Sequence, residues 1–393
     1  MMSKEKRRVP KLRFPGFTED WEQRKLNEFL LVSNLKNTEN KYNKKDVLSV
    51  SGEYGIVNQI DFQGRSFAGA SVSNYGVVEK GDIVYTKSPL KLNPYGIIKT
   101  NRINNGIVST LYAVYKTKEN CDSKFIEHYF NLDRRLNQYL KPLVNKGAKN
   151  DMKVSSENAL IGEVCFPQIT EQALIVNLLD HLDIYITLHQ RKLDNLKLKK
   201  KALLQKLFPK NGERYPELRF PGFTDAWEQR KLKSIADMIV AGGDIDKNKI
   251  KESGTYPVIA NGLSKDGIVG YYDDSYRIEA PAVTVTGRGD IGVAKARHQN
   301  FTPVVRLLSL TTAHDVDFVE YAINNLKIVS ESTGVPQLTV PQLSNYKIHI
   351  TSIIEERKIG LFISKLDNLI TLHQRKLDHL QLQKKALLQQ MFV

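Results

Sequence analysis

Basic and amide side chains stand in glycine-flanked, turn-like stretches of this chain, where the backbone can hold them out to a ligand. Arg and Lys can pair with guanine edges in the DNA major groove, and Asn and Gln with adenine edges, while other basic groups hold phosphate. Taken singly, each of these residues is equally well explained as a solvated surface side chain. As a set they predict a nucleic-acid contact surface made of Lys87, Lys91, Asn93, Lys146, Lys149, Asn150, Asn261, Lys265, Arg288, Lys295, Arg297 and Gln337.

Two short motifs resemble parts of enzyme sites, but neither has the context that such sites require. Gly287–Gly292 matches the G-x-G-x-x-G pattern of dinucleotide-binding folds, which need a helix directly after the glycines to hold the pyrophosphate. Here Val293–His298 favours a returning strand, so we expect a glycine-rich hairpin. Asn93–Gly96 resembles the Asn-Pro-Pro-Tyr motif of adenine methyltransferases, but it lacks the second proline and favours a turn.

The sequence contains no phosphate-binding G-x-x-x-x-G-K-[ST] loop and no H-E-x-x-H zinc motif. Its eight histidines are scattered without ligand spacing. We therefore expect no catalytic residue, no metal and no cofactor in this chain.

Composition and charge narrow the class of protein further. Charged residues make up 26% and apolar residues 41% of the chain, as in ordinary soluble proteins, and the formal net charge is +15. That charge indicates either a solvated basic surface or a polyanion partner, since Lys and Arg displace counterions from phosphate backbones.

Cys121 and Cys165 form no metal-binding or redox pair. No secretory signal or membrane-spanning run is recognisable, so we expect a cytoplasmic protein.

The chain repeats itself in two places. Leu12–Leu26 returns as Leu218–Leu232 with the shared pattern Leu-Arg-Phe-Pro-Gly-Phe-Thr-x-x-Trp-Glu-Gln-Arg-Lys-Leu, and we call these the head segments. Ile186–Asp194 returns unchanged as Ile370–Asp378. The segments between the repeats differ from each other. Repeated parts therefore contact the same partner twice, whereas the inserts contact different targets.

The two inserts follow the same α+β plan at low similarity. Gly81–Tyr85 and Ala282–Thr286 are strand candidates bounded by turns. Phe125–Leu140 predicts an amphipathic helix, and Phe318-Val319-Glu320 resembles its opening residues Phe125-Ile126-Glu127. Each insert is thus expected to be a compact domain, and the head aromatics are expected to pack locally against it.

The second repeated block predicts two long helices of coiled-coil type. Apolar residues alternate by four and three from Ile175 to Leu207 and again from Ile359 to Met391, which defines a heptad seam about 50 Å long. Two such stripes can cover each other if the helices pair antiparallel, and the copies are then related by an approximate two-fold axis. The predicted seam residues are Leu182, Ile186, Leu193, Leu196, Leu203, Leu366, Ile370, Leu377, Leu380 and Leu387.

Polar residues also occupy seam positions. His189, Lys200, His373 and Lys384 fall in the heptad register. They either fix the register of the two helices at some cost in stability, or they lie at a wet seam with the lysines reaching out to water.

Nearly the whole chain resembles the specificity subunits of type I restriction-modification systems. The doubled head pattern, the doubled Ile-Thr-Leu-His-Gln-Arg-Lys-Leu-Asp helices and the two unlike inserts carry this resemblance. It implies an α+β fold with two α/β target-recognition domains separated by two long antiparallel coiled-coil helices. The implied parts are the head repeat 1–26, target-recognition domain 27–169, spacer helix 170–209, linker and second head 210–232, target-recognition domain 233–351, and spacer helix 352–393.

The resemblance also implies a function. Each target-recognition domain would read one half of a split, asymmetric DNA site, and the helices would bind two adenine-N6 methyltransferase subunits and, through them, restriction subunits. S-adenosylmethionine, ATP and magnesium would belong to those partner subunits. Two alternatives remain open: a coiled-coil assembly scaffold whose inserts bind proteins, and an enzyme that acts alone.

Overall fold

The computed structural model describes residues 7–146, 152–210, 212–329 and 337–393, and its contacts divide the chain into two units. The first unit is Met1–Leu188 with Lys376–Val393, and the second is His189–Arg375. Both long helices cross this division, so each of them contributes one segment to each unit.

The first unit is a mixed α/β domain followed by the first long helix. Its elements in chain order are β1 Glu22–Lys25, β2 Leu30–Val32, β3 Leu48–Ser51, β4 Gly55–Asn58, α1 Gln59–Gln63, β5 Gly76–Val78, β6 Ile83–Thr86, β7 Ile98–Thr100, β8 Gly106–Val108, β9 Tyr112–Thr117, α2 Ser123–Tyr129, α3 Asp133–Leu140, β10 Asn145–Lys146, β11 Met152–Lys153, β12 Glu163–Phe166 and α4 Ile169–Leu207.

The second unit has a similar order of elements. They are β13 Glu228–Lys231, α5 Leu232–Ile235, β14 Ala236–Ala241, β15 Tyr256–Ile259, β16 Ile268–Tyr272, β17 Ala282–Val285, β18 Ala294–Arg297, β19 Thr302–Pro303, β20 Leu308–Thr312, α6 Val316–Asn324, α7 Val340–Asn345, β21 Lys347–Ile350 and α8 Ile353–Gln390.

The central sheets of the two units have the same topology. The first has strand order β2-β9-β6-β7 and the second β14-β20-β17-β18, with antiparallel neighbours throughout. In both units a head strand pairs antiparallel with the strand before the long helix, β1 with β12 and β13 with β21. The expected α+β repeat is therefore present in the tertiary structure as well as in the sequence.

Each head segment anchors its unit through one tryptophan. Trp21 is 2% exposed and lies 6.1 Å from Phe125 and 6.2 Å from Phe392, measured between ring centroids. Trp227 is fully buried, 5.9 Å from Phe208 and 5.6 Å from Phe318. The head aromatics thus pack locally, as expected, because each indole fills the space between the domain and the end of a long helix.

The two long helices pair antiparallel in the second unit. His189 Nδ1 lies 3.0 Å from His373 Nδ1, and Lys200 Nζ lies 2.6 Å from the Asp367 carboxylate. From the first contact to the second, the residue number rises in α4 and falls in α8, so the two helices run antiparallel. In the first unit, Lys384 of α8 forms the equivalent ion pair with Asp183 of α4.

Burial follows the predicted seam. Leu193, Leu377 and Leu380 are 1%, 3% and 6% exposed, and the seven other predicted seam residues are half-buried. Burying a leucine side chain stabilises a fold by about 2 kcal/mol, so the seam contributes to each unit along its length. Each seam lysine forms an ion pair with an aspartate of the opposite helix, Lys200 with Asp367 and Lys384 with Asp183. Burial, aided by Lys192 and His189, lowers the pKa of His373.

One expected helix is divided. Residues 125–140 form two helices, α2 and α3, with a break at residues 130–132. The N–H of Asn131 bonds the carbonyl of His128 at 3.2 Å, and Leu132 takes extended backbone dihedrals at the start of α3. Phe130 is buried at the break. The apolar spacing therefore continues across it, and hydrophobic periodicity alone could not reveal that the helix is interrupted.

Candidate nucleic-acid interface

Arg288 lies at the tip of a glycine-rich hairpin in the second unit. Strands β17 and β18 pair antiparallel on either side of it, which confirms the hairpin expected from sequence. Inside the turn, Thr286 Oγ1 accepts the Val293 N–H at 2.9 Å, and the Gly292 N–H bonds the Thr286 carbonyl at 2.8 Å. The Arg288 side chain is exposed. Arg288 is therefore exposed to solvent on a turn whose backbone is stabilised by hydrogen bonds within the turn.

Gln337 lies beside this hairpin. Its backbone bridges to that of Arg288, and Arg306 Nη1 donates to Gln337 Oε1 at 3.4 Å. The structure thus brings together two residues that the sequence suggested separately. It adds a third, Arg306, which the sequence analysis missed because no glycine or turn motif marks it. Arg306 takes a left-handed backbone conformation, φ 70°, which is uncommon for a residue with a side chain.

Asn261 serves the fold rather than a ligand. Its Oδ1 accepts the Gly287 N–H at 2.8 Å, and its Nδ2 donates to the Val305 carbonyl at 3.1 Å. A Cβ at Gly287 would lie 2.2 Å from the Arg306 carbonyl oxygen, so glycine is required for this close approach. Asn261 therefore ties the β15–β16 turn to the Arg288 hairpin, and its hydrogen-bonding groups are already used.

The remaining cations of the second unit divide into exposed and internal ones. Lys265 is exposed, and Lys295 is exposed at 3.5 Å from Asp266. Arg297 is half-buried, and its Nε donates to Thr284 Oγ1 at 3.0 Å. Burial lowers the pKa of Arg297. Lys265 and Lys295 thus remain candidates for DNA contact, whereas Arg297 is committed to the sheet.

In the first unit the candidates lie on the loop between β6 and β7. Lys91 is exposed. Lys87 Nζ donates to Ser156 Oγ at 3.3 Å, and partial burial lowers the pKa of Lys87. Asn93 is 8% exposed, and its Nδ2 donates to Asp133 Oδ1 at 2.8 Å. Asn93 is thus a structural residue of the loop, while Lys91 and the half-buried Lys87 remain candidates.

Three candidates cannot be placed as side chains. Lys146 belongs to strand β10, which pairs with β11, and only its backbone is described. Lys149 and Asn150 lie outside the described residues.

One cluster in the first unit has the composition of a metal site. Ligand atoms of His128, Asp180 and Asp183 lie within 4.8 Å of one another. Asp180, however, accepts hydrogen bonds from His128 at 2.9 Å, Arg102 at 2.7 Å and Lys124 at 3.0 Å. Burial alone would raise the pKa of Asp180, but these donors outweigh it and hold the pKa well below its ordinary value. We assign the cluster a structural role that joins α2 to the first half of α4.

Among the described residues, no helix is both long and apolar enough to cross a membrane.

Comparison with known proteins adds evidence from outside the chain. A family model described as the type I restriction modification DNA specificity domain matches residues 224–382. S.MpnORF89P of Mycoplasma pneumoniae, named as a type I specificity subunit, is 28% identical over 163 residues, which are 40% of this chain and 48% of that protein. S.MpnORF507P of the same organism is 29% identical over 141 residues, 35% of this chain and 39% of that protein. The chain thus matches about half or less of these relatives' length.

A solved structure shares the fold. The S subunit of a type I restriction-modification system from M. genitalium superposes with a TM-score of 0.67 at 14% identity, over 98% of this chain and 99% of that one. The sequence matches and this shared fold agree with the resemblance carried by the repeats. Residues 224–382 thus match the type I restriction modification DNA specificity domain, and the chain shares the fold of the solved S subunit.

Proposed function

We propose that this chain is the non-catalytic DNA-recognition subunit of a type I restriction-modification complex. One observation carries the proposal: two units with the same sheet topology and the same head anchor present different side chains on equivalent loops. The β6–β7 loop carries Lys87 and Lys91, while the β17–β18 loop carries Arg288 beside Arg306 and Gln337. Equivalent scaffolds with unlike contact residues suit two unlike half-sites.

The reading surface that we propose is smaller than the one suggested by sequence. It contains Lys87, Lys91, Lys265, Arg288, Lys295, Arg306 and Gln337, with Lys146, Lys149 and Asn150 retained as predictions from sequence. Asn93 is left out because it is buried, and Asn261 and Arg297 are left out because their side chains link turns and strands within the fold. Because the two loops differ, the DNA site should be bipartite and asymmetric.

The long helices would bind two identical methyltransferase subunits. Leucines at repeated positions are exposed in both copies: Leu188 and Leu372 by 54% and 61%, and Leu198 and Leu382 by 65% and 66%. These leucines lie outside the seam and do not contribute to the buried core of this chain, so their apolar character suggests a contact with another protein. Each unit presents one leucine of each kind, Leu188 with Leu382 and Leu372 with Leu198. Two equivalent apolar patches suit two copies of one partner.

Catalysis would then belong to the partners. The methyltransferase subunits would supply S-adenosylmethionine, and restriction subunits would supply ATP and magnesium. This chain's part would be to position the partners over a chosen sequence, and its net charge of +15 would favour binding to the DNA backbone.

A selection experiment tests the proposal. The full chain, co-expressed with its methyltransferase subunit, is incubated with a randomised duplex pool, and bound DNA is recovered and sequenced. We expect one bipartite, non-palindromic motif, with affinity that falls steeply as salt rises. Sequence-blind binding would contradict the proposal.

An insert exchange separates this function from a protein-binding scaffold. Residues 27–169 are replaced by the corresponding domain of a family member, and the selection is repeated. A DNA-recognition subunit should change one half-site and keep the other. An unchanged motif would favour the scaffold, which the long exposed helices also suit.

A further inference from the structure

Three aromatic side chains of the first unit are exposed close together in sequence. Tyr54, Phe62 and Phe67 are 62%, 47% and 56% exposed. Tyr54 lies in the turn between β3 and β4, Phe62 lies on α1, and Phe67 follows α1. We call them the aromatic ridge. The ring centroids of Tyr54 and Phe62 are 5.4 Å apart, so at least these two form one surface. Exposed aromatic area of this kind needs an explanation outside the fold.

The backbone under the aromatic ridge is fixed by side-chain hydrogen bonds. Ser51 Oγ accepts the N–H groups of Glu53 and Tyr54 at 3.3 and 3.2 Å. Asn58 Oδ1 accepts the Ile60 N–H at 2.9 Å and so caps the start of α1. Gln59 Oε1 accepts the Phe67 N–H at 2.7 Å. The aromatic side chains are thus presented in a set geometry, which lowers the entropy cost of binding.

The ridge begins next to the proposed reading loop. Gly52 and Glu53, directly before Tyr54, line one cavity of about 420 Å³ together with Lys91 and Leu92. Leu92 is itself 69% exposed.

The second unit repeats this placement. Asn261 ties the β15–β16 turn to the Arg288 hairpin, and that turn carries Leu263, which is 52% exposed. In each unit, therefore, a hairpin turn with an exposed apolar side chain adjoins the loop that carries the candidate cations.

We propose that Tyr54 and Phe62 insert as an apolar wedge into the DNA of the first half-site and stack on its bases. This inference rests on the proposed function and names residues for it. Arg65, whose guanidinium lies 4.6 Å from the centre of the Phe67 ring, and the exposed Lys44 and Lys45 would hold the flanking phosphates. Duplex bases offer their faces only where a step is opened, so the wedge kinks the DNA, as inserted apolar side chains do.

DNA suits this surface better than a protein partner does. The ridge lies beside Lys91 rather than on the repeated helices, and the first unit's three aromatics have no aromatic counterpart at the Leu263 turn. A surface that differs between the two units suits a target that differs between them.

The test uses the full chain and the duplex that the wild-type chain selects from a randomised pool. Tyr54→Ala and Phe62→Ala should each weaken binding about tenfold, since stacking on a base contributes about 1–3 kcal/mol. The dependence of affinity on salt should stay unchanged, because neither residue neutralises a phosphate. Leu31→Ala is the matched control: Leu31 is 54% exposed on β2 and should leave affinity within twofold. Tyr54→Phe should keep wild-type affinity.

A second readout reports the wedge directly. The adenine analogue 2-aminopurine is placed at successive positions of the first half-site. Its fluorescence should increase at one base step when the wild-type chain binds, and it should not increase with Tyr54→Ala. Thermal unfolding checks that the variants are folded, and exposed side chains should leave it unchanged.

Wild-type affinity and unaltered 2-aminopurine fluorescence in both alanine variants would overturn the inference while leaving the proposed function standing. Loss of a protein partner with DNA binding intact would overturn it as well. A wild-type chain that selects no duplex would refute the proposed function and this inference with it.

Discussion

Arg219 donates two hydrogen bonds of 2.8 Å, from Nε and Nη2, to the two carboxylate oxygens of Glu355. Arg13 and Glu171 form the same bidentate pair in the first unit, at 2.7 and 2.8 Å. In both units the pair joins the head segment to the start of a long helix. Glu355 is fully buried and Glu171 is 1% exposed, so each carboxylate depends on its arginine.

Removing the arginine should therefore be costly. We expect Arg219→Ala to lower the free energy of unfolding by about 3–5 kcal/mol, because it leaves a buried carboxylate without its ion-pair partner. Urea denaturation would measure this. Arg230→Ala is the control, because Arg230 forms an ion pair with Glu228 on the surface and should cost less than about 1 kcal/mol. Equal costs for the two variants would contradict the assigned role of the pair.

The Asp180 cluster should make stability depend on pH. Its donors hold the pKa of Asp180 below the ordinary value, so the carboxylate stabilises the fold above the unfolded pKa of about 4 and ceases to do so as pH falls further. Asp180→Asn should cost about 2 kcal/mol at pH 7, and the difference from wild type should shrink below pH 4. Asp194→Asn, on an exposed helix surface, should cost little at either pH. If the cost of Asp180→Asn does not vary with pH, the ionised form of the Asp180 carboxylate is not what stabilises the fold.

The seam should not tolerate charge. Leu193→Asp and Leu377→Asp place a carboxylate at positions that are 1% and 3% exposed, and each should destabilise the fold by several kcal/mol. Thermal unfolding of the single variants measures the loss. Wild-type melting of both would refute the seam assignment.

Replacing the exposed leucines outside the seam by aspartate should weaken binding of the proposed methyltransferase partner and leave the stability of this chain unchanged. Leu198→Asp and Leu382→Asp, at 65% and 66% exposure, should leave thermal unfolding unchanged within about 0.5 kcal/mol. Co-purification of the methyltransferase subunit should fall at least tenfold in the double variant. Full recovery of the partner would exclude these patches from the docking surface.

Arg288 should contribute to DNA binding through its exposed side chain. Arg288→Ala should weaken binding by about 1–3 kcal/mol. If Arg288 reads a base, repeated selection will show relaxed preference at one position. If it holds phosphate, affinity will fall uniformly and the salt slope will drop by about one unit. Unchanged binding and unchanged preference would show that it does not contact the DNA.

The sequence predicted the repeat, the long helices and the seam, because these depend on local periodicity. The seam leucines recur every three or four residues, so which face is buried follows from helical geometry alone. The division of 125–140 into two helices did not follow, because Phe130 continues the apolar pattern through the break.

The candidate interface was predictable only in part. Arg288 and Gln337 were predicted as contact residues because glycines mark their turns, and the fold brings them together. Asn93, Asn261 and Arg297 have the same chemistry and equally suggestive neighbours, yet each donates a side-chain hydrogen bond within the fold. Arg306 carries no local signal.

The amino-acid order by itself thus determined which segments are equivalent and where each helix turns its apolar face, since both are properties of neighbouring residues. Only the tertiary structure decided which polar side chains remain free to bind a ligand. Hydrogen-bond partners such as Gly287 and Asn261, or Arg219 and Glu355, are far apart in the chain and meet only when it folds.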